Sequence, residues 1–135
     1  MTTIVVSAAV VERDGHFLVT RRQAGVHLEG YWEFPGGKCR DGESHEQCLV
    51  REIREELDVL AIVDHELLTT VHRYLERTVE LHFFRCTLEG APTPQQGQAM
   101  RYVTRAELVA LPFPPADQEL VALLTSRPGD ISWSS

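Results

Sequence analysis

Between residues 45 and 57 the chain repeats apolar side chains at helical spacing and sets three glutamates among them, and no other stretch constrains the fold as strongly. At about 100° per residue, Leu49, Val50, Ile53 and Leu57 fall on one side and are expected to face a core. Ser44 stands before the segment and Gln47 follows at capping-box spacing, which predicts where the helix starts. Glu52, Glu55 and Glu56 are related by i+3 and i+4 and share a second sector, with Arg51 and Arg54 beyond them.

A charged helix face is commonly just a solvated one, and Arg51 to Glu55 has the spacing of an ordinary surface ion pair. Three features point elsewhere. Three carboxylates in one sector repel one another unless something positive lies between them. The turn Pro35-Gly36-Gly37 lies upstream and lets backbone approach a ligand closely. Glu43, at the mouth of the helix, adds a fourth carboxylate. Hard oxygen donors of this kind suit Mg²⁺, with Mn²⁺ an alternative, and such ions bind substrate phosphates and promote attack by water.

The rest of the chain supplies strands. Residues 3–12 read as one buried strand, Asp14-Gly15 as a hairpin turn, and residues 17–20 as the returning strand. Residues 23–30 read as a loop, and residues 31–34 as a short strand stopped by Pro35-Gly36-Gly37. Residues 59–71 and 78–88 read as strands, 90–98 as a loop and 99–103 as a further strand. Helices are expected near 104–110 and 117–125, parted by Pro112-Phe113-Pro114-Pro115. This mixed order suggests an α+β or α/β sandwich around a mixed sheet. With 135 residues, 43% hydrophobic, we expect one domain over residues 1–127 and a loose tail over 128–135.

Charge and cysteine usage narrow the function classes. A formal net charge of −7 argues against coating polymeric nucleic acid, whose affinity comes from basic side chains. Cys39, Cys48 and Cys86 form neither a zinc pattern nor an even disulfide framework, so reduced thiols in a cytoplasmic protein are expected. No apolar run approaches the roughly 20 residues of a membrane span. A monomer and a homodimer fit the sequence equally.

Gly37, Glu43 and the run Arg51-Glu52-Ile53-Arg54-Glu55-Glu56-Leu57-Asp58-Val59 resemble the signature box of the Nudix hydrolases. The family usually has glycine where Asp58 stands, and Asp is one of the residues that can enter the same left-handed conformation. The resemblance implies a central mixed sheet flanked by helices, an α/β/α sandwich. It implies Glu52, Glu55 and Glu56 as metal ligands, with Glu52 also serving as a base or positioning one. Gly37 would contribute a backbone carbonyl, Glu43 a supporting ligand or salt bridge, and Arg51 would orient the glutamates.

The flanks extend the likeness. Thr20-Arg21-Arg22, His27, Trp32 to Lys38 and Phe113 to Asp117 resemble the MutT branch, which cleaves nucleoside triphosphates to monophosphate and pyrophosphate. Within that branch 8-oxo-dGTP is the leading substrate expectation, with CTP or modified dCTP the alternative. A non-catalytic nucleotide-recognition module is the alternative of another class. Arg22 and Lys38 are candidate phosphate or base contacts, although Arg22 reads equally as a solvated strand end. His27 lies in a loop beside the expected base pocket. Phe34 could stack on a base or fill the core. Arg77 could reach the ligand or remain on the surface. Asp117, after two prolines at a helix start, reads either as a cap or as a base reader that accepts N–H donors when ionised. Gln96 occupies the loop position where relatives often carry a further glutamate.

Overall fold

The computed structural model describes residues 2–25 and 29–126, so His27 and the expected tail lie outside the described residues. Three hydrophobic stretches build a four-stranded mixed sheet: β1 (Thr2–Val10), β6 (Leu60–Arg73) and β7 (Arg77–Glu89), joined at one edge by β5 (Gly36–Lys38). The order is β5-β1-β7-β6, with β1 parallel to β7 and the other pairs antiparallel. A smaller antiparallel sheet holds β2 (Glu12–Arg13), β3 (His16–Arg21) and β4 (Trp32–Glu33), with β8 (Met100–Val103) also paired to β3. The β2–β3 turn places Asp14 and Gly15 at φ of 52° and 79°, as a two-residue primed turn requires.

Alternation along the strands produces two cores, one on each side of the sheets. Ala9, Val11, Leu18 and Phe84 pack with Leu49, Ile53 and Leu57 of helix α1 (His45–Leu57). Ala8, Val10, Phe17 and Phe83 pack on the opposite side with Leu108 of α2 (Arg105–Ala110) and with Leu120 and Leu124 of α3 (Gln118–Leu124). Helices thus cover both sides, and the expected α/β/α sandwich of the α+β class is the observed architecture.

Several elements depart from the sequence reading. The strand expected over 3–12 is interrupted at Val11, whose carbonyl accepts from Leu18, so its two pieces serve different sheets. Pro35-Gly36-Gly37 does more than stop a strand: β5 pairs with β1, Gly36 opposite Ala8 and Gly37 opposite Ser7. The last expected helix begins as a 3-10 turn over Pro115–Asp117 before α3. On α1, Val50 is only half-buried, while Cys48 takes a core position over β5.

Helix α1 forms as its caps predict. The Ser44 side chain accepts from the Gln47 backbone at 3.0 Å, and the Gln47 side chain accepts from the Ser44 backbone at 3.0 Å. At the other end Asp58 adopts φ 51° and ψ 46°, and its N–H donates to the Arg54 carbonyl. The departure from glycine at this position therefore leaves the left-handed turn in place.

Candidate active site

Arg51 organises the acidic face of α1. Its Nε and Nη2 donate to the two oxygens of Glu43 at 2.6 and 3.0 Å, a bidentate pair. Its Nη1 donates to Glu52 at 2.7 Å and to Glu55 at 3.3 Å, and Nη2 also reaches the Lys38 carbonyl at 3.0 Å. The guanidinium beside Glu43, followed by the Arg40 backbone N–H, holds the Glu43 carboxyl at about 2. In return Glu43, with Glu52, raises the Arg51 pKa against the effect of burial. Both oxygens of Glu43 are thus engaged by Arg51, and one of them also accepts from the Arg40 backbone at 2.9 Å. Glu43 therefore stands as an anchor for the arginine.

The three glutamates of the shared sector have different surroundings. Glu52 leans over β5, and a Cβ placed on Gly37 would lie 2.1 Å from its Oε1. Glu55 is half exposed and flanked by Arg51 and Arg40. Glu56 points inward, and its Oε1 is buried with no hydrogen-bond partner. Burial, then the charges of Glu33 and Glu52, push its carboxyl up to about 8. The Gly37 carbonyl accepts a weak S–H bond from Cys48 at 3.6 Å. That thiol stays protonated because burial, then Cys39, raise it to about 12.

Glu56 opens onto a cavity of about 550 Å³ on the other side of the sheet, walled by Val6, Ala8, Val79 and Leu81. Its volume falls within the usual range of small-molecule sites. Arg22, Phe34, Gly37, Lys38, Arg77 and Asp117 all line it, so the structure gathers every described substrate-contact candidate around one space. Phe34 is both wall and core: it is buried, stacks on Phe113 at 5.4 Å and meets Phe83 edge-on at 6.1 Å. Asp117 is 6% exposed, and no side-chain capping bond is made at the start of α3. Burial, then Glu33, raise the Asp117 carboxyl to about 7.

Sequence reasoning missed Glu33, Tyr74 and Gln98. Glu33 lines the cavity and accepts from Arg22 at 2.9 Å; burial raises its pKa against that partner. The available signal was an acid set between Trp32 and Phe34 in a short strand. Tyr74, in the β6–β7 turn, also lines the cavity, and nothing local marks it. Gln96 and Gln98 both line a smaller cavity beside Glu56, but Gln98 is the buried one and donates to the Glu56 carbonyl at 3.3 Å.

A sandwich that presents glutamates of a capped helix, through a glycine strand, to a ligand-sized cavity defines a Nudix domain. The sequence matches the NUDIX domain family over residues 6–123, and the chain belongs to that family of hydrolases, which use divalent metal ions. It is similar to the CTP pyrophosphohydrolase of Escherichia coli, 36% identical over 135 residues, covering 96% of this chain and all of that one. It is also similar to the 8-oxo-dGTP diphosphatase of Haemophilus influenzae, 33% identical over 127 residues, covering 92% and 93% of the two chains. The solution structure of the Escherichia coli ORF135 protein superposes with a TM-score of 0.82 at 36% identity, covering 96% of each chain. Among the described residues no helix is long and apolar enough to cross a membrane.

Proposed function

We propose that this chain hydrolyses nucleoside triphosphates to the monophosphate and pyrophosphate, in the manner of MutT-type enzymes, with oxidised or modified nucleotides such as 8-oxo-dGTP as substrates. The observation that carries this reading is the buried, unpartnered Glu56 Oε1 beside Glu52, opening onto the cavity lined by Asp117 and Arg22. A buried carboxylate oxygen with no donor is costly unless a cation meets it. The all-oxygen donor set of Glu52, Glu55, Glu56 and the Gly37 carbonyl fits Mg²⁺, with Mn²⁺ an alternative. When bound, the ions neutralise phosphate charge and stabilise the leaving pyrophosphate.

The chain's own groups do the remainder. Glu52 accepts a proton from the water that attacks a phosphorus of the triphosphate, and the anhydride bond between the α- and β-phosphates breaks to give monophosphate and pyrophosphate. Arg51, anchored by Glu43, holds Glu52 and Glu55 in place. Lys38, Arg22 and Arg77 offer donors to phosphate or base oxygens, and Phe34 forms part of the wall against which a base can pack. His27 is proposed from the sequence alone as a further contact.

A second reading, CTP or modified dCTP as substrate, is favoured by the full-length similarity to the CTP pyrophosphohydrolase and by Asp117. Ionised, Asp117 accepts from cytosine N4–H₂ or from guanine N1–H and N2–H₂; protonated, it also donates. The two readings separate in kcat/KM measured over a panel of normal and modified nucleoside triphosphates with Mg²⁺. A preference for 8-oxo-dGTP supports the first and a preference for cytidine nucleotides the second. Equal turnover of all members would refute both specificities.

A further inference from the structure

On the α1 side of the main sheet, the face away from the cavity, three polar side chains converge around His82. This histidine is on β7 and its side chain is 8% exposed. Its Nδ1 meets Glu66 at 2.7 Å and its Nε2 meets Glu80 at 2.6 Å. The ring of His45, first residue of α1, stacks on it at 3.7 Å between centroids. The ligand atoms of His45, Glu80 and His82 all lie within 4.8 Å of one another.

The backbone builds this arrangement through two irregularities. In a regular strand, residues three apart point to opposite faces. The register of β6 shifts between Glu66 and Leu68, a bulge, so Glu66 and Thr69 both reach the His82 side. Ser7, paired opposite His82 on β1, donates from Oγ to the His45 carbonyl at 2.9 Å and so seats the start of α1 over the sheet. In the ladder Gly37 is also opposite Ser7, so His82 stands two strands from Gly37, about 10 Å at ordinary strand spacing. Along α1, His45 precedes Glu52 by roughly two turns.

The geometry points to a second cation site, distinct from the glutamate face, in which His45, Glu80 and His82 hold a borderline divalent ion such as Zn²⁺. Two imidazole nitrogens and one carboxylate oxygen are a donor set for Zn²⁺ or Co²⁺ and a poor one for Mg²⁺, which demands oxygen. Glu66 takes the supporting position: accepting from Nδ1–H, it leaves Nε2 of His82 to face the ion. Tetrahedral bond lengths need donor atoms about 3.3 Å apart, so the His45 ring must turn out of its 3.7 Å stack to aim its nitrogen at the ion, and Glu80 must withdraw from the Nε2 of His82. Glu80 is one-third exposed and can do so. The ion takes the place of any proton that Nε2 donates to Glu80, and it ties the start of α1 to β7. The site is independent of the proposed substrate.

Zn²⁺ binding to the metal-stripped full chain in excess Mg²⁺, read by calorimetry and by melting temperature, tests this. Wild type is expected to bind one equivalent at this cluster and to melt higher. His45→Ala and Glu80→Gln, both at partly exposed positions, should each weaken binding at least about tenfold, and Glu66→Gln by about 10–100-fold. Glu52→Gln should leave this binding unchanged. Co²⁺ should give ligand-field bands in wild type that His45→Ala removes; those bands, with each metal-free variant's own melting curve, separate lost ligation from misfolding. Absence of Zn²⁺ binding by wild type, wild-type affinity in both His45→Ala and Glu80→Gln, or loss of binding in Glu52→Gln would overturn the proposal.

Discussion

Gly36 and Gly37 are neighbours whose methyl groups would meet very different obstacles. A Cβ on Gly36 would lie 2.0 Å from the Ser7 carbonyl oxygen, fixed backbone of β1. A Cβ on Gly37 would instead meet the Glu52 carboxylate, the far end of a flexible side chain. Gly36→Ala should therefore destabilise the fold by about 2–3 kcal/mol, as overpacking does, seen as a lowered melting temperature. Gly37→Ala should fold nearly as wild type while displacing Glu52, and kcat/KM should fall about 10²-fold. Near-normal activity in Gly37→Ala would show that the position of Glu52 does not matter. The glutamates and the glycine turn could be recognised one by one in the sequence, but this contact could not. It depends on β5 pairing beside α1, which local pattern does not encode.

At the scale of the element, α1 was legible almost completely because its signals are local: a capping box, an apolar stripe and a charged sector. Its end carries a small inherited cost. Asp58 adopts a left-handed conformation that glycine enters freely. Its pair with Arg54, 3.9 Å apart and exposed, contributes little in return. Asp58→Gly should stabilise the protein by about 1 kcal/mol, measured by denaturant unfolding, with kcat/KM unchanged. Destabilisation instead would mean that the aspartate side chain supports the turn. The strands were less legible than α1. The break at Val11, strand β5 and the bulge that turns Glu66 inward all arise from pairing between distant segments. Alternation along a single stretch carries no trace of them.

For the whole molecule, the sandwich brings the start of α3, β4 and the end of β3 to one cavity and buries Asp117 there beside Glu33 and Arg22. The ordinary aspartate value is 3.8, and burial followed by Glu33 raises it to about 7 in the fold. The folded state keeps this proton while the unfolded chain releases it. The contribution to stability is therefore fully present below pH 3.8 and is lost as pH rises through about 7. Asparagine has no proton to lose, so Asp117→Asn should gain in melting temperature relative to wild type between pH 5 and pH 8. A difference that stays constant over that range would mean Asp117 is not buried as described. The same assembly explains why Glu33, Tyr74 and Gln98 escaped sequence reading: each enters the site from an element whose own pattern says nothing of catalysis.

The central claim is that the glutamates of α1 drive hydrolysis of a nucleoside triphosphate between the monophosphate and pyrophosphate. Product identification by ion-exchange chromatography, with Mg²⁺ and either 8-oxo-dGTP or CTP, tests it most directly. Wild type should release monophosphate and pyrophosphate in equal amounts, and Glu52→Gln should be slower by at least about 10²-fold, the low end for loss of a general base. Full turnover by Glu52→Gln, or no pyrophosphate from wild type with any nucleotide, would contradict the account; the second result would leave a nucleotide-recognition module in its place.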